Sequence, residues 1–451
     1  MSQFKPYPAY KDSGVEWLGE IPEYWSASGL KRVFQIEGGS TPPPDEANWE
    51  GDITWVTPAD LSGLKSLFIG GSKRTITATG LASCGASILP KGSLILSTRA
   101  PIGSLAIATI KMCTNQGCKG LLPNESTSSH YFAYVLSVAK EELNNRGRGT
   151  TFLEISGDEL GRFNVPMPSF SEQTQIANFL DHETVRIDGL IEEQKRLIEL
   201  LKEKRQAVIS NAVTKGLDAS VPMKDSGVEW LGEVPAHWNV VRLKNISRIV
   251  DCKNRTPEYF DDGEYLVVRT TNIKKQQLSL NGARYTDIKN FKIWTERGVP
   301  PVGSIFFTRE APSGEVCIVP KAPPLCMGQR MMNIIPNDSQ LTPFIFDFLT
   351  SDCLTKYIES EASGSTVTHL RVEQVFNIPL VIPPKNERDD IDKLVKTLKH
   401  QYDSLIEQSK ASVEFLNERR SALISAAVTG KIDVRNWQAP TVAPQAQAEK
   451  A

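Results

Sequence analysis

The stretch KDSGVEWLGEIPEYW at residues 11–25 returns as KDSGVEWLGEVPAHW at 224–238, and no other feature constrains the fold as strongly. Between Lys11–Lys31 and Lys224–Lys244, 14 of 21 positions are identical. A second stretch behaves alike: EKRQAVISNAVT at 203–214 returns as ERRSALISAAVT at 418–429, with 8 of 12 positions identical. A period above 200 residues means a duplicated domain, because solenoid repeats are far shorter. A chain of 451 residues can bury a core in each half. Each half therefore runs from a Trp-rich opening, through a variable lobe, into a long helix.

The helices follow from apolar spacing. Ile176, Leu180, Ile187, Leu190, Leu197, Leu201 and Val208 form the first seam; Ile391, Val395, Leu398, Tyr402, Leu405, Leu416 and Leu423 form the second. Their period of about 3.5 residues, with charged flanks, is that of coiled-coil helices. Gln194 and Ser409 interrupt the two seams at the same heptad position, a device that fixes register. At 1.5 Å per residue each helix spans roughly 65 Å, more than one small lobe can cover, and an antiparallel pairing of the two is expected. Pro166, Pro168, Pro383 and Pro384 set the helix starts, with Ser171 and Asn386 as caps. The stretch 438–450 is rich in Pro, Ala and Gln and is read as a disordered tail.

The lobes read as mixed α/β. SLILSTRAPIGSLAIATI (93–110) and GSIFFTREAPSGEVCIVP (303–320) each place two strand-like runs around a Pro/Gly turn that carries an arginine. Otherwise the lobes share little in sequence. They are mildly basic, with Val241–Pro300 at +5 and Lys31–Thr150 at +3, whereas the helical stretch Ser171–Asp218 is −2. That distribution suits a polyanion held by the lobes, and it also suits ordinary solvated faces. Seven scattered cysteines form no C-x-x-C pair and fit reduced thiols. No run of 18 apolar residues occurs and Met1–Tyr10 has no apolar signal core, so a cytoplasmic location is expected.

Catalytic signatures are missing. There is no G-x-x-x-x-G-K-[ST] phosphate loop, no G-x-G-x-x-G after a strand and no H-E-x-x-H. The Pro-Pro sites lack the Asn/Asp-Pro-Pro-aromatic setting of an amino-methyltransferase. Asp181, His182 and Glu183 are adjacent on a helix, where neighbours point in different directions. No catalytic, cofactor-binding or metal-binding residue is assigned.

The polar content of the lobes fits recognition. Arg99 and Arg309 sit in matching turns, and Asn115 with Gln116 and Gln329 with Arg330 follow at similar distances. RGRGTTF (146–152) is echoed by SGSTVTH (363–369), which brings in Arg146, Arg148, Thr150, Ser365 and Thr366; Lys253, Arg255 and Arg269 belong to the basic stretch of the second lobe. Arg, Asn and Gln can grip guanine and adenine edges in bidentate fashion, while Ser, Thr and Lys suit phosphates. A surface turn or a strand end accounts equally well for any one of these residues.

Together, the duplicated SGVEWLGE[IV]P..W, the lobe–helix–lobe–helix layout and the E[KR]R.A[VL]IS.AVT helix ends make residues 11–435 resemble the specificity (S) subunit of a type I restriction–modification system. The resemblance implies two α/β (α+β) target-recognition lobes in tandem, with two long antiparallel coiled-coil helices and an internal pseudo-two-fold repeat. Domain bounds follow at 1–165, 166–220, 221–383 and 384–435, with a tail at 436–451. It implies that each lobe reads one half of a split, asymmetric site on double-stranded DNA. It further implies that the helices dock two methyltransferase (M) subunits through seam residues such as Leu180, Ile187, Leu190, Leu197, Leu201, Val395, Leu398, Leu405, Leu416 and Leu423. Two restriction (R) subunits would join them. S-adenosylmethionine, ATP and magnesium would be used by those partners, and the chain itself would be non-catalytic. A stand-alone DNA-binding regulator or orphan subunit remains an alternative, as does a nuclease or methyltransferase with an unfamiliar site. The repeated Trp17, Leu18, Ile21, Pro22 and Trp25, with Trp230, Leu231, Val234, Pro235 and Trp238, are expected to anchor each lobe to the shared frame, or to dock an M subunit.

Overall fold

The computed structural model describes residues 4–64, 66–148, 153–253, 255–361 and 369–440. The chain divides into two compact units, one formed by 1–194 with 412–451 and the other by 195–411. These units cut across the sequence-based bounds, because each combines one lobe with part of both long helices. The reason is chain reversal: the C-terminal end of the second helix packs into the first unit.

The first lobe carries strands β1 (Phe34–Gly38), β2 (Trp49–Val56), β3 (Phe68–Ile69), β4 (Thr75–Ile76), β5 (Leu94–Ser97), β6 (Leu105–Ala108), β7 (Cys113–Thr114) and β8 (Cys118–Pro123). They form a sheet in the order β1-β8-β5-β6-β3 and a smaller one in the order β7-β2-β4. Alternation along β5 distributes its side chains to two cores. Leu94 and Leu96 join Tyr131 and Phe132 of the helix Ser129–Val138, while Ile95 joins Val56, Ala106 and Cys118.

The second lobe repeats this plan with different residues, except that its larger sheet has no counterpart of β3 and a separate hairpin pairs Ile273–Lys274 with Gln277–Leu278. Its strands are β9 (Ser247–Asp251), β10 (Tyr265–Val268), β11 (Tyr285–Thr286), β12 (Ile305–Thr308), β13 (Val316–Ile318), β14 (Leu325–Met327) and β15 (Met331–Pro336). The sheets run β9-β15-β12-β13 and β11-β10-β14. Ile305 and Phe307 face one core and Phe306 faces another, as on β5. The lobes thus share a topology that their sequences barely reveal.

Helix α1 spans Phe170–Lys215 and α2 spans Lys385–Val428. The N-terminal cap of α1 is Ser169 rather than Ser171, its hydroxyl accepting from the Glu172 amide at 3.3 Å. Asn386 lies inside the first turn of α2, whose Arg388 amide bonds to the Pro384 carbonyl at 2.9 Å. Gly216 and Gly430 follow the helices with φ of 76° and 72°, the left-handed turn that glycine ends helices with. Within the first unit, Gln175 near the start of α1 reaches the carbonyls of Val434 and Trp437 beyond the end of α2, and Asp188 meets Arg420. Within the second, Arg205 lies 3.4 Å from Asp403, and a Cβ on Gly216 would stand 3.0 Å from Glu387 at the start of α2. Each set of contacts is antiparallel.

The seam is one residue off on one of its two rows. Leu180, Ile187, Val395 and Leu423 are buried and Leu201, Leu398 and Leu416 partly so, but Leu190, Leu197 and Leu405 are exposed. Ile191, Ile198 and Ile406 are buried instead. Steps of three and four residues both satisfy a 3.5 repeat, so with apolar neighbours in tandem the spacing alone admits either row. Trp437, read as part of the tail, packs on Phe179 with ring centroids 5.3 Å apart. The remaining tail, from 441 onward, lies outside the described residues.

Candidate nucleic-acid interface

The opening segments are anchored to the frame. Trp25, Ile21 and Leu18 are buried in the first unit, and Trp238, Val234 and Leu231 in the second. Tyr7 and Tyr24 both donate to Oε1 of Glu172 in the first turn of α1, at 2.8 and 2.9 Å. At the equivalent place Trp238 Nε1 donates to Glu387 Oε2 of α2 at 3.1 Å, and His237 Nε2 lies 2.8 Å from the same oxygen. Burial of the tryptophans in the lobe–helix cores leaves Trp17, half-exposed and stacked on Phe163 at 5.6 Å, nearer the surface.

The recognition candidates of the first lobe cluster around the turn after β5. Arg99 Nε donates to Glu154 Oε2 at 3.0 Å, and the backbones of Arg148 and Glu154 exchange hydrogen bonds at 2.9 and 3.0 Å. Glu154 thus joins Arg99, by its side chain, and Arg148, by its backbone, although they are far apart in sequence. Arg148 is exposed; Arg146 is held by Glu142 at 3.2 Å and lies 5.0 Å from the Phe163 ring. The Asn115 side chain is spent on its own turn, accepting from the Gly117 amide at 3.0 Å. Gln116 is exposed and hydrogen-bonded to the Thr41 hydroxyl. Thr150 lies outside the described residues.

In the second lobe Arg309 is only 8% exposed and turned inward, its Nε 3.4 Å from Asp251 Oδ1. A carboxylate on β9 waits for it there, and its counterpart in the first lobe is Thr98 rather than Arg99: Ser97 and Thr308 make the same turn bonds to the carbonyls of Pro101 and Pro312, so Glu310 takes the position of Arg99. Arg330 is exposed, has φ of 65°, and pairs with Glu310 at 2.9 Å. The amides of Asn115 and Gly328 bond to the carbonyls of Val56 and Val268, which makes Gln329 the counterpart of Gln116 and sets Arg330 opposite Gly117. The pairing of Asn115-Gln116 with Gln329-Arg330 is therefore shifted by one. Lys253 pairs with Glu296 at 2.7 Å, Arg269 Nη2 donates to the Gly282 carbonyl at 2.6 Å, and Arg255 is exposed. Ser365 and Thr366 lie outside the described residues.

Two arginines escaped the sequence reading. Arg74 and Arg284 each stand directly before the short strand, β4 or β11, and each covers an aromatic ring. An arginine opening R-T-I-T in one lobe and R-Y-T-D in the other was the available signal.

Among the described residues, no group of three or more His, Cys, Asp or Glu could hold a metal ion, and no helix is long and apolar enough to cross a membrane. All seven cysteines are free thiols; burial pushes those of Cys113, Cys118, Cys317 and Cys326 up to about 12. Such thiols are poor nucleophiles near neutrality.

Comparison with known proteins gives a consistent result. The family described as type I restriction modification DNA specificity domain matches residues 22–200 and 235–414, once per repeat. The type I restriction enzyme MjaIX specificity subunit of Methanocaldococcus jannaschii is 28% identical over 96% of this chain and 99% of its own length. The EcoR124I/EcoR124II specificity subunit of Escherichia coli is 26% identical over 43% of this chain and 46% of its own. Among solved structures, a chain from a study of type I restriction–modification complex assembly superposes with a TM-score of 0.67 at 15% identity, covering 91% of this chain and 99% of the other. The HsdS subunit from Thermoanaerobacter tengcongensis gives 0.54 at 14% identity, covering 91% and 98%. With both repeats matched and the same two-lobe, two-helix fold in these structures, this chain belongs to the type I restriction–modification DNA specificity family.

Proposed function

We propose that this chain is the non-catalytic DNA-reading subunit of a type I restriction–modification complex. Each lobe reads one half of a bipartite, asymmetric site on double-stranded DNA, and the paired helices set the number of unread base pairs between the halves. The supporting observation is the contrast between a repeated frame and divergent lobes. The lobes share four strands of the larger sheet and three of the smaller in the same order, yet the position of Arg99 on one is taken by Glu310 on the other. Two lobes built alike but faced with different side chains suit two different half-sites.

Reciprocal helix contacts support two equivalent docking faces, hence two copies of one methyltransferase subunit about a pseudo-two-fold axis. Restriction subunits complete the assembly, with S-adenosylmethionine, ATP and magnesium used by the partners, in the cytoplasm. A chain with net charge −2 binds DNA weakly alone, and tight binding follows from the completed clamp. Exchange of residues 31–165 for the first lobe of a relative tests this. One half of the methylated motif should change and the other persist; a motif altered in both halves contradicts separate reading.

A further inference from the structure

The groove beside Gln116 contains a built arginine platform. The guanidinium carbon of Arg74 lies 3.6 Å from the centre of the Trp49 ring and 5.8 Å from that of Trp55. The two indoles meet edge to face at 5.1 Å, and both are tied down: Trp49 Nε1 donates to the Pro43 carbonyl at 3.1 Å and Trp55 Nε1 to the Ser40 carbonyl at 2.9 Å. Gly39 presses this loop against the turn of Asn115, where a Cβ would stand 2.0 Å from the Asn115 carbonyl oxygen. Platform and loop therefore form one rigid body.

Stacking occupies the face of the guanidinium and leaves its N–H donors, which lie in its plane, for a ligand. Arg74 is exposed, and among the described residues its guanidinium has no ion-pair partner. It opens into a groove of about 710 Å³ lined also by Thr41, Glu46 and Glu50. Two carboxylates in one groove oppose a phosphate. They suit a base-pair edge, where guanine O6 and N7 accept from an arginine fork and the cytosine amino group donates to a carboxylate.

The second lobe repeats the arrangement. Thr75 on β4 pairs with Thr54 on β2, and Tyr285 on β11 with Leu266 on β10. The residue before each strand is the arginine, and the residue after it, Thr77 or Asp287, caps a short helix. Arg284 is likewise exposed, with its guanidinium carbon 5.8 Å from the ring of Tyr259, a residue that Glu258, Asp261 and Asp262 flank in sequence. An arginine over an aromatic ring thus stands at one topological position in both lobes.

We propose that Arg74 and Arg284 are equivalent base-reading arginines, each specifying a G·C pair in its own half of the DNA target. This rests on the reading of the lobes as DNA readers. The test uses the chain assembled with its methyltransferase subunits, and methylation rates on duplexes carrying each base pair at every specified position. Arg74→Ala should lower methylation of the cognate site roughly 10- to 100-fold and abolish the preference for G·C at one position of one half-site. Arg74→Lys, which keeps the charge and loses the planar fork, should lose the same preference. Arg284→Ala should act on the other half-site alone. The proposal is overturned if the Arg74 variants keep every preference. A uniform loss on all sequences that Arg74→Lys restores also overturns it, by making Arg74 a phosphate contact. A wild-type complex that methylates without a bipartite preference would remove the underlying reading itself.

Discussion

Asp188 on α1 receives a two-pronged grip from Arg420 on α2, Nε to Oδ1 at 2.8 Å and Nη2 to Oδ2 at 3.3 Å. The repeat aligns Asp188 with Asp403 and Arg205 with Arg420, and Arg205 and Asp403 are themselves paired at 3.4 Å. The acid of each repeat thus meets the base of the other. Each unit thus holds one copy of the same acid–base pair between the two helices.

Both Asp188 and Arg420 keep substantial exposure, 52% and 36%, so the pair contributes modestly, about 0.5–1 kcal/mol with its bidentate geometry. Asp188→Arg should lower the melting temperature through like-charge repulsion. Adding Arg420→Asp should recover most of the loss. A double-mutant cycle with no coupling would show the pair to be incidental.

Glu172 is buried and accepts from both Tyr7 and Tyr24. Glu172→Ala strands the hydroxyl of the buried Tyr7 and should cost about 1–3 kcal/mol, whereas Glu172→Gln keeps an acceptor and should cost less. Trp25→Ala empties a fully buried site and should cost about 3–5 kcal/mol. Chemical denaturation measures all three.

Asp392 on α2 is pushed up to about 6, first by burial and then by Asp347, against the opposing pull of Arg388 and Lys399. Asp347 is raised by its own burial despite its contact with Lys399 and the nearby Arg205. A carboxyl whose folded value exceeds its unfolded one near 4 binds its proton more tightly when folded, so stability rises as pH falls from above 6 towards 4. The gain is lost above the folded value. Asp392→Asn should therefore stabilise the protein at pH 8 by about 1 kcal/mol, after discounting for its partial exposure, and flatten that part of the pH profile. An unchanged profile would contradict the assignment.

One heptad added to both helices, between Asp188 and Arg205 and between Asp403 and Arg420, lengthens each by about 10 Å. If the helices are the ruler, the unread spacer should grow by roughly three base pairs, at 3.4 Å per pair. Sequencing of methylated DNA reads the spacer directly, and an unchanged length would separate the helices from that role.

The frame was legible in the residues because duplication and helical period are local properties. KDSGVEWLGE marks both openings, and the leucine and isoleucine spacing marks both helices. The choice of Ile191 over Leu190 was not legible, since adjacent apolar residues satisfy the same period and only packing against a partner selects between them. The site was less legible still. Arg99 and Arg309 lie in like turns but one position apart, as the matching bonds of Ser97 and Thr308 show, and the contact of Arg309 with Asp251 spans many residues that no local pattern encodes. Arg74 escaped notice because its platform joins β2, the loop before it and the residue that precedes β4.

The central claim is that one chain reads two different half-sites, and sequencing the methylated DNA of cells that carry this chain with its methyltransferase subunits tests it most directly. The account predicts two short specified stretches, not reverse complements of one another, separated by a fixed number of unspecified base pairs. A continuous or palindromic motif, or methylation without sequence preference, would contradict it.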